Sequence, residues 1–248
     1  AKDISFPLFD EENDVPDDAN AYGIIKWMEN DTHVLLYDRF DIWKVSPDAK
    51  EKSVAITSGR ASKTEHRVVN INKEENYIEV NSPFLIRTTN EISRASGYIY
   101  KSQFNDAKPT EVFSELGLYN NFQKAKNSNT LIFSKETFSQ SPNIFVSNTN
   151  VSVTKLSNLN PQQAQYNWVT AEVFKWKAYT GKETEGILYK PEDFDPSKKY
   201  PMIVYFYERS NQTLYNYLPP SPTPSRLNIP FFVSRGYIVF VPDIWYTT

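Results

Sequence analysis

The sequence predicts a mainly β protein: a partial β-propeller of about three blades, followed by the opening strands of an α/β sheet. Three observations predict this. Short alternating strands follow one another up to Asn160 with almost no helical period between them. A strand pair recurs along that region at blade-like spacing. Two unbroken apolar runs, Met202–Tyr207 and Tyr237–Val241, are separated by a connection long enough for a crossover.

The first region reads as strands at Tyr22–Trp27, Val34–Asp38, Asp41–Ser46, Ser53–Thr57, Tyr77–Val80, Phe84–Thr88, Gly97–Lys101, Glu111–Ser114, Thr130–Ser134, Asn143–Ser147 and Ser152–Leu156. Within it, Val34–Tyr37 and Asp41–Val45 form an apolar strand, a polar turn and an aromatic strand. The same unit returns at Phe84–Arg87 with Gly97–Lys101, and at Thr130–Phe133 with Asn143–Val146. A further strand follows each copy, at Val54–Ile56, Val112–Phe113 and Val153–Leu156. The repeat of about 45 to 57 residues lies in the range of propeller blades, whose strands bury such aromatic faces only by stacking on neighbours. About three blades are fewer than the four of a closed propeller, so a propeller truncated on its N-terminal side is expected.

At Asn160 the texture changes, and a boundary is placed between residues 1–160, the end of a propeller, and residues 161–248, the start of the second domain. Trp168–Tyr189 reads as two long β stretches around Lys182-Glu183-Thr184. Glu192, Asp193 and Asp195 read as turn chemistry rather than a carboxylate pair. Met202–Tyr207 suits a strand covered on both faces. The connection carrying Tyr215-Asn216-Tyr217, Pro219, Pro220, Pro222 and Pro224 reads as a structural loop. It leads to a short helix at Ile229–Arg235, with Gly236 at its C-terminal cap.

Composition narrows the chemistry. Aromatic residues make up 15% of the 248, with 16 Tyr and 16 Phe, as β-rich structure favours. A formal charge of −3 offers no basic field for nucleic acid or an anionic membrane. No apolar run approaches the roughly 18 residues of a membrane span. With no cysteine, disulfides, thiolate catalysis and cysteine zinc sites are excluded. The acidic stretch Asp10–Asp18 reads as a solvated loop and lacks the spacing of a calcium-binding EF-hand loop. His33 and His66 read as structural or solvated, and no cofactor or metal motif is found. Sequons begin at Asn30, Asn150 and Asn211.

The order of elements resembles the prolyl oligopeptidase clan of serine peptidases, in which a β-propeller precedes an α/β-hydrolase domain. The residues that carry it are Lys175-Trp176, Gly186-Ile187-Leu188-Tyr189-Lys190-Pro191, Lys198-Lys199-Tyr200-Pro201, the strand ending at Tyr207, and Ser234-Arg235-Gly236-Tyr237-Ile238-Val239. A tyrosine ending the first central strand is similar to the dipeptidyl-peptidase IV branch. The resemblance implies that the Tyr207 hydroxyl donates to the oxyanion of a tetrahedral intermediate. The family follows this tyrosine with small residues and a proline; here Glu208-Arg209-Ser210 follow. Glu208 and Arg209 are therefore candidates for recognising a peptide terminus, the alternative being an ion pair that holds the loop. Asp243 is expected to organise the loop after its strand. The resemblance also implies short peptide substrates, release of di- or tripeptides from a free N-terminus with a post-proline preference, and an exported or periplasmic setting.

A nucleophile elbow needs Gly-x-Ser-x-Gly, and none of the seven glycines are spaced four apart. Nucleophile, acid and base are absent from these residues, so the chain by itself is expected to be inactive by the triad mechanism. Ala1-Lys2-Asp3 begins no signal peptide, and the missing initiator Met suggests cut ends. Open strand edges invite association into a homodimer. The rival reading is a non-catalytic propeller module that binds a peptide or protein partner.

Overall fold

The computed structural model describes residues 2–71, 74–101, 110–113, 116–148, 153–222 and 225–246. The sequence-based readings at Ser114, Asn150, Ser152 and Pro224 lie outside these residues. Among the described residues, sixteen strands form four sheets of four strands each. The first is β1 (Ile24–Trp27), β2 (Val34–Tyr37), β3 (Ile42–Val45) and β4 (Val54–Ala55), an antiparallel meander in chain order. The second repeats the plan with β5 (Thr64–Val69), β6 (Phe84–Asn90), β7 (Ser96–Lys101) and β8 (Thr110–Phe113). The third does so with β9 (Leu118–Lys124), β10 (Thr130–Thr137), β11 (Gln140–Asn148) and β12 (Val153–Lys155). The three copies of the sequence repeat are thus the last three strands of each meander.

Two of the leading strands were not predicted. β5 is rich in charge, with Glu65 and Arg67 flanking a buried His66, so its sequence lacks an apolar face. In β9 the buried aromatics are Tyr119 and Phe122, three apart rather than two. The reason is a bulge: Ile132 pairs with Gln123 but Ser134 pairs with Asn120, and Asn121 takes φ 58°. The extra residue shifts the side-chain alternation and hides the strand. Conversely, Tyr77–Val80 is not a strand; Ile78 alone makes a bridge, to Met28.

The meanders pack face to face. Met28, Leu35 and Ile42 of the first meet Ile78, Phe84 and Ile86. Leu85, Tyr98 and Tyr100 of the second meet Tyr119, Phe122 and Phe133 of the third. Side chains alternate across a strand, so Phe84 and Ile86 enter one core while Leu85 enters the next. A central sheet buried on both sides explains the unbroken Phe-Leu-Ile run. In the second core Phe122 stacks on Phe133 with centroids 5.2 Å apart, and the Tyr98 hydroxyl donates to the Tyr119 carbonyl at 2.9 Å. The buried phenol thereby keeps a partner for its hydroxyl.

The fourth sheet has a different plan. β13 (Val169–Lys177) and β14 (Glu183–Pro191) make the expected hairpin, turned at Gly181 with φ 85°. β15 (Met202–Val204) and β16 (Ile238–Pro242) are parallel neighbours, and β16 also pairs antiparallel with β14. The strand order is β13-β14-β16-β15. Helix α1 (Ile229–Val233) lies on the crossover between β15 and β16. The Asn228 side chain accepts from Phe231 N–H at 3.1 Å at its start, and Gly236 at φ 83° ends the turn that follows. Its Val233, with no exposed surface, joins Ile187, Val239 and Trp168 in the core under this sheet.

β15 is shorter than the predicted Met202–Tyr207 strand and is not covered on both faces. Ile203 and Tyr205 pack on the core, while Met202 and Val204 stand half exposed. It forms the sheet edge, with β16 as its neighbour. Among the described residues no helix is long and apolar enough to cross a membrane.

Candidate active site

β15 and β16 run parallel, so their carboxyl ends emerge on the same side of the sheet. Open α/β sheets bind ligands at that edge. From β15 the chain passes through Tyr205 and Phe206 to Tyr207, whose side chain is 78% exposed. From β16 it reaches Asp243, which is buried.

Asp243 organises the loop that follows Tyr207. Its Oδ1 accepts Ser210 N–H at 2.5 Å and Asn211 N–H at 3.0 Å, while Oδ2 accepts from the Asn211 side-chain amide. The Asp243 N–H in turn donates to the Glu185 carbonyl at 2.9 Å, tying the site to β14. Burial pushes the Asp243 carboxyl up from its ordinary range and Glu185 adds to the rise; the two backbone N–H donors oppose it. The expected role is one of loop organisation, but the loop it holds follows β15, not its own strand.

Glu208 and Arg209 do not pair with each other. Arg209 turns back to the acidic segment, donating to Glu12 Oε2 at 3.0 Å and to the Glu12 carbonyl at 3.3 Å. Its guanidinium also lies over the Trp245 ring, 4.6 Å from the centroid. Glu208 is exposed, and its carbonyl accepts a long bond from Ile244 N–H at 3.5 Å.

The acidic stretch Asp10–Asp18, expected as a solvated loop, is in fact a docked strap. Glu12 bridges Arg209 and Arg39, Glu11 pairs with Arg60 at 2.8 Å, and Asp14 accepts from Tyr246 N–H. Glu11 and Glu12 are taken by arginines from the meander loops and from the Tyr207 loop, while Asp17 and Asp18 stay exposed as expected. No spacing rule could have found this, because the partners lie 27 to 232 residues away.

A polar cavity of about 830 Å³ opens where the meanders face the fourth sheet. Glu12, Glu91, Arg94, Glu185, Glu208 and Arg209 are among the residues on its wall. A larger groove of about 1590 Å³ lies elsewhere, between the proline-rich connection and α1. Trp168, Tyr217, Phe231 and Phe232 give it a mainly apolar wall. Tyr207 is on neither wall. The polar cavity is the candidate site because it takes the residues that follow Tyr207, Glu208 and Arg209, and several carboxylates, whereas the apolar groove has none.

The remaining candidates take structural places. His66 is buried, with its Nδ1–H donating to the Phe40 carbonyl at 3.1 Å, and His33 lies 3.1 Å from Glu51 at the surface. Asp195 Oδ1 accepts from Ser197 N–H and Oγ within a turn. Tyr217 stacks on Trp168 with centroids 5.7 Å apart, fastening the connection to the core. The sequon at Asn211 is committed to Asp243 and Glu185, so its amide is engaged inside the protein. Arg94, Glu185 and Trp245 were not singled out from the sequence, for none sits in a recognisable motif, while Asn211 was read only as a sequon and Glu12 only as part of the acidic stretch.

No family model matches the chain. Dipeptidyl peptidase 8 from Mus musculus and from Homo sapiens are each 35% identical over 77 residues, which is 31% of this chain and 8% of each relative. In fold, the chain is similar to a dipeptidyl aminopeptidase IV structure from Bacteroides ovatus, with a TM-score of 0.63 and 17% identity over 90% of this chain and 33% of that one. Dipeptidyl peptidase 4 of Porphyromonas gingivalis gives a TM-score of 0.60 and 18% identity over 91% of this chain and 32% of its own. The acylaminoacyl peptidase of Pyrococcus horikoshii gives 0.55 and 15%, over 90% and 33%. The chain therefore spans about a third of each of these structures and far less of the curated relatives. In fold the chain is similar to dipeptidyl-peptidase-IV-like and acylaminoacyl peptidases, structures of the prolyl oligopeptidase clan, and over 77 residues its sequence is similar to dipeptidyl peptidase 8.

Proposed function

We propose that this chain is part of a serine peptidase that cleaves short peptides, releasing di- or tripeptides from a free N-terminus, and that Tyr207 donates to the oxyanion. Residues 1–160 are read as blades of a propeller, and residues 161–248 as the start of an α/β-hydrolase domain. Three consecutive four-stranded meanders packed face to face support the first reading. A hairpin followed by a crossover between two parallel strands supports the second.

The observation that carries the proposal is the placement of Tyr207. Its ring is exposed just past the carboxyl end of a parallel strand, on a loop whose backbone is held by a buried carboxylate. A neutral hydroxyl on a fixed loop can stabilise charge that develops only in the transition state, which raises kcat rather than tightening substrate binding. Glu208 is the member of its pair left free to meet the amino group of a peptide, while Arg209 anchors the strap.

These 248 residues hold no Gly-x-Ser-x-Gly sequence, so on this reading they are inert alone. The test uses the full-length gene product. Fluorophosphonate should label it at a serine, and Tyr207→Phe should lower kcat by about 10²- to 10³-fold with little change in KM. An unaltered kcat would remove Tyr207 from the oxyanion hole. Failure of the probe to label any serine would favour a binding module instead.

A further inference from the structure

We propose that Arg94, at the tip of the second meander, is a positioning residue that holds the Tyr207 loop from across the cavity. It acts through Glu185, Asn211 and Asp243; its consequence for catalysis rests on the reading of Tyr207 given above.

The argument begins at the hairpin between β6 and β7. Asn90 builds its tip: Oδ1 accepts from Ile92 N–H at 3.0 Å and Ser93 N–H at 2.9 Å. Arg94 closes the turn at φ 60°, donating its N–H to the Asn90 carbonyl at 2.8 Å. A left-handed conformation is costly for a long side chain and common only for Gly, Asn and Asp. Such backbone strain persists where the surroundings over-determine it. Here it aims the Arg94 side chain out of its own sheet and onto Glu185 of β14, with which it forms an ion pair. Both side chains are largely buried, 14% and 20% exposed. A pair this shielded from solvent is screened far less by salt than a surface pair.

Glu185 passes the constraint on. Its Oε1, the oxygen that meets Arg94, also accepts from Asn211 Nδ2 at 2.6 Å. The same Asn211 nitrogen donates to Asp243 Oδ2. A primary amide has two N–H bonds, and here each faces a carboxylate, so both the identity and the orientation of Asn211 are dictated. Asp243 then receives the backbone N–H groups of Ser210 and Asn211, three and four residues beyond Tyr207. Arg94 offsets the charge of two carboxylates brought together around one amide. Without it, the Glu185–Asp243 repulsion is left to Lys175, which lies farther off, at 3.6 Å from Glu185 and more exposed. The tip of one meander thus reaches the loop that carries the exposed tyrosine through four polar side chains.

The test compares full-length wild type, Arg94→Met, Arg94→Lys, Tyr207→Phe and the Arg94→Met/Tyr207→Phe double variant. Hydrogen exchange of the Ser210 and Asn211 amides is read first, because it does not depend on catalysis. Arg94→Met should accelerate it about tenfold, with Arg94→Lys between the two. Exchange that is unchanged in Arg94→Met overturns the inference whatever the activity. Hydrolysis of a fluorogenic dipeptidyl amide is read second. Arg94→Met should lower kcat about tenfold with KM within about twofold, and should change kcat less than about twofold once Tyr207 is already Phe. Full additivity in the double variant would mean that Arg94 does not act through Tyr207. If Tyr207→Phe alone is silent while exchange still responds to Arg94→Met, the tyrosine reading fails and the positioning of the loop stands.

Discussion

His66 shows how a single residue acquires its chemistry from its neighbours. It lies on β5 with its ring buried, 3.7 Å from Asp41 and hydrogen-bonded to the Phe40 carbonyl. Burial lowers its pKa, and nearby Arg67 lowers it further; the carbonyl and Asp41 push the other way without cancelling the effect. Below the ordinary histidine value of about 6.5 the unfolded chain takes up a proton that the folded chain resists. Stability should therefore rise with pH through the range beneath that value and level off above it. Thermal unfolding of the full-length protein at about pH 5 and pH 7.5 measures this, and His66→Gln should flatten the difference. A larger pH dependence in the variant would contradict the assignment. The sequence placed His66 among charges, and whether it stood in water or in the core could not be read there. Asn211 is similar: it reads as an unremarkable sequon until the fold sets two carboxylates beside it.

At the scale of the element, β9 and β15 are the instructive cases. β9 went unseen because Asn121 inserts one residue opposite Phe133 and resets the alternation. A left-handed φ of 58° suits Asn better than Ala, and its amide also donates to Ser134 Oγ at 3.1 Å. Asn121→Ala should destabilise the protein by about 1–2 kcal/mol, while Asn121→Gly should be milder because the backbone term disappears. Chemical denaturation orders the two; equal losses would assign the effect to the side-chain hydrogen bond. By contrast, β2, β3, β6, β7, β10 and β11 were legible, since each carries an apolar pattern uninterrupted by a bulge at its centre. β15 was legible as a strand but not in its exposure. Its apolar Met202 and Val204 are half bare because they point to the face opposite the core that takes Ile203 and Tyr205.

At the scale of the whole molecule, the strap around Glu11 and Glu12 joins parts that lie far apart in the chain. It ties Arg39, in the turn between β2 and β3, and Arg60, between the first and second meanders, to Arg209 beyond β15. The hydrogen bonds Asp10 N–H to Asn20 carbonyl and Tyr22 N–H to Leu8 carbonyl close it into a loop of its own. Pairs at this level of exposure contribute roughly 0–1 kcal/mol each. The strap should therefore loosen as salt shortens the screening length from about 10 Å at 0.1 M to about 3 Å at 1 M. Limited proteolysis within Asp10–Asp18 should quicken over that range and should already be fast at low salt in Glu12→Gln. Cleavage that ignores both changes would mean that backbone and apolar contacts hold the strap instead.

The sequence by itself determined the mainly β class, the threefold strand repeat, the hairpin at Lys182–Thr184, the parallel pair and the resemblance to the prolyl oligopeptidase clan. Each of these is written in local periodicity or in the order of short motifs, which neighbouring residues suffice to specify. The tertiary structure alone decided what holds the loop after Tyr207. Arg94, Glu185, Asn211, Asp243 and Glu12 come from five separate segments. Their partnership depends on charges meeting across packed sheets, an interaction set by distance in space, of which linear spacing keeps no trace.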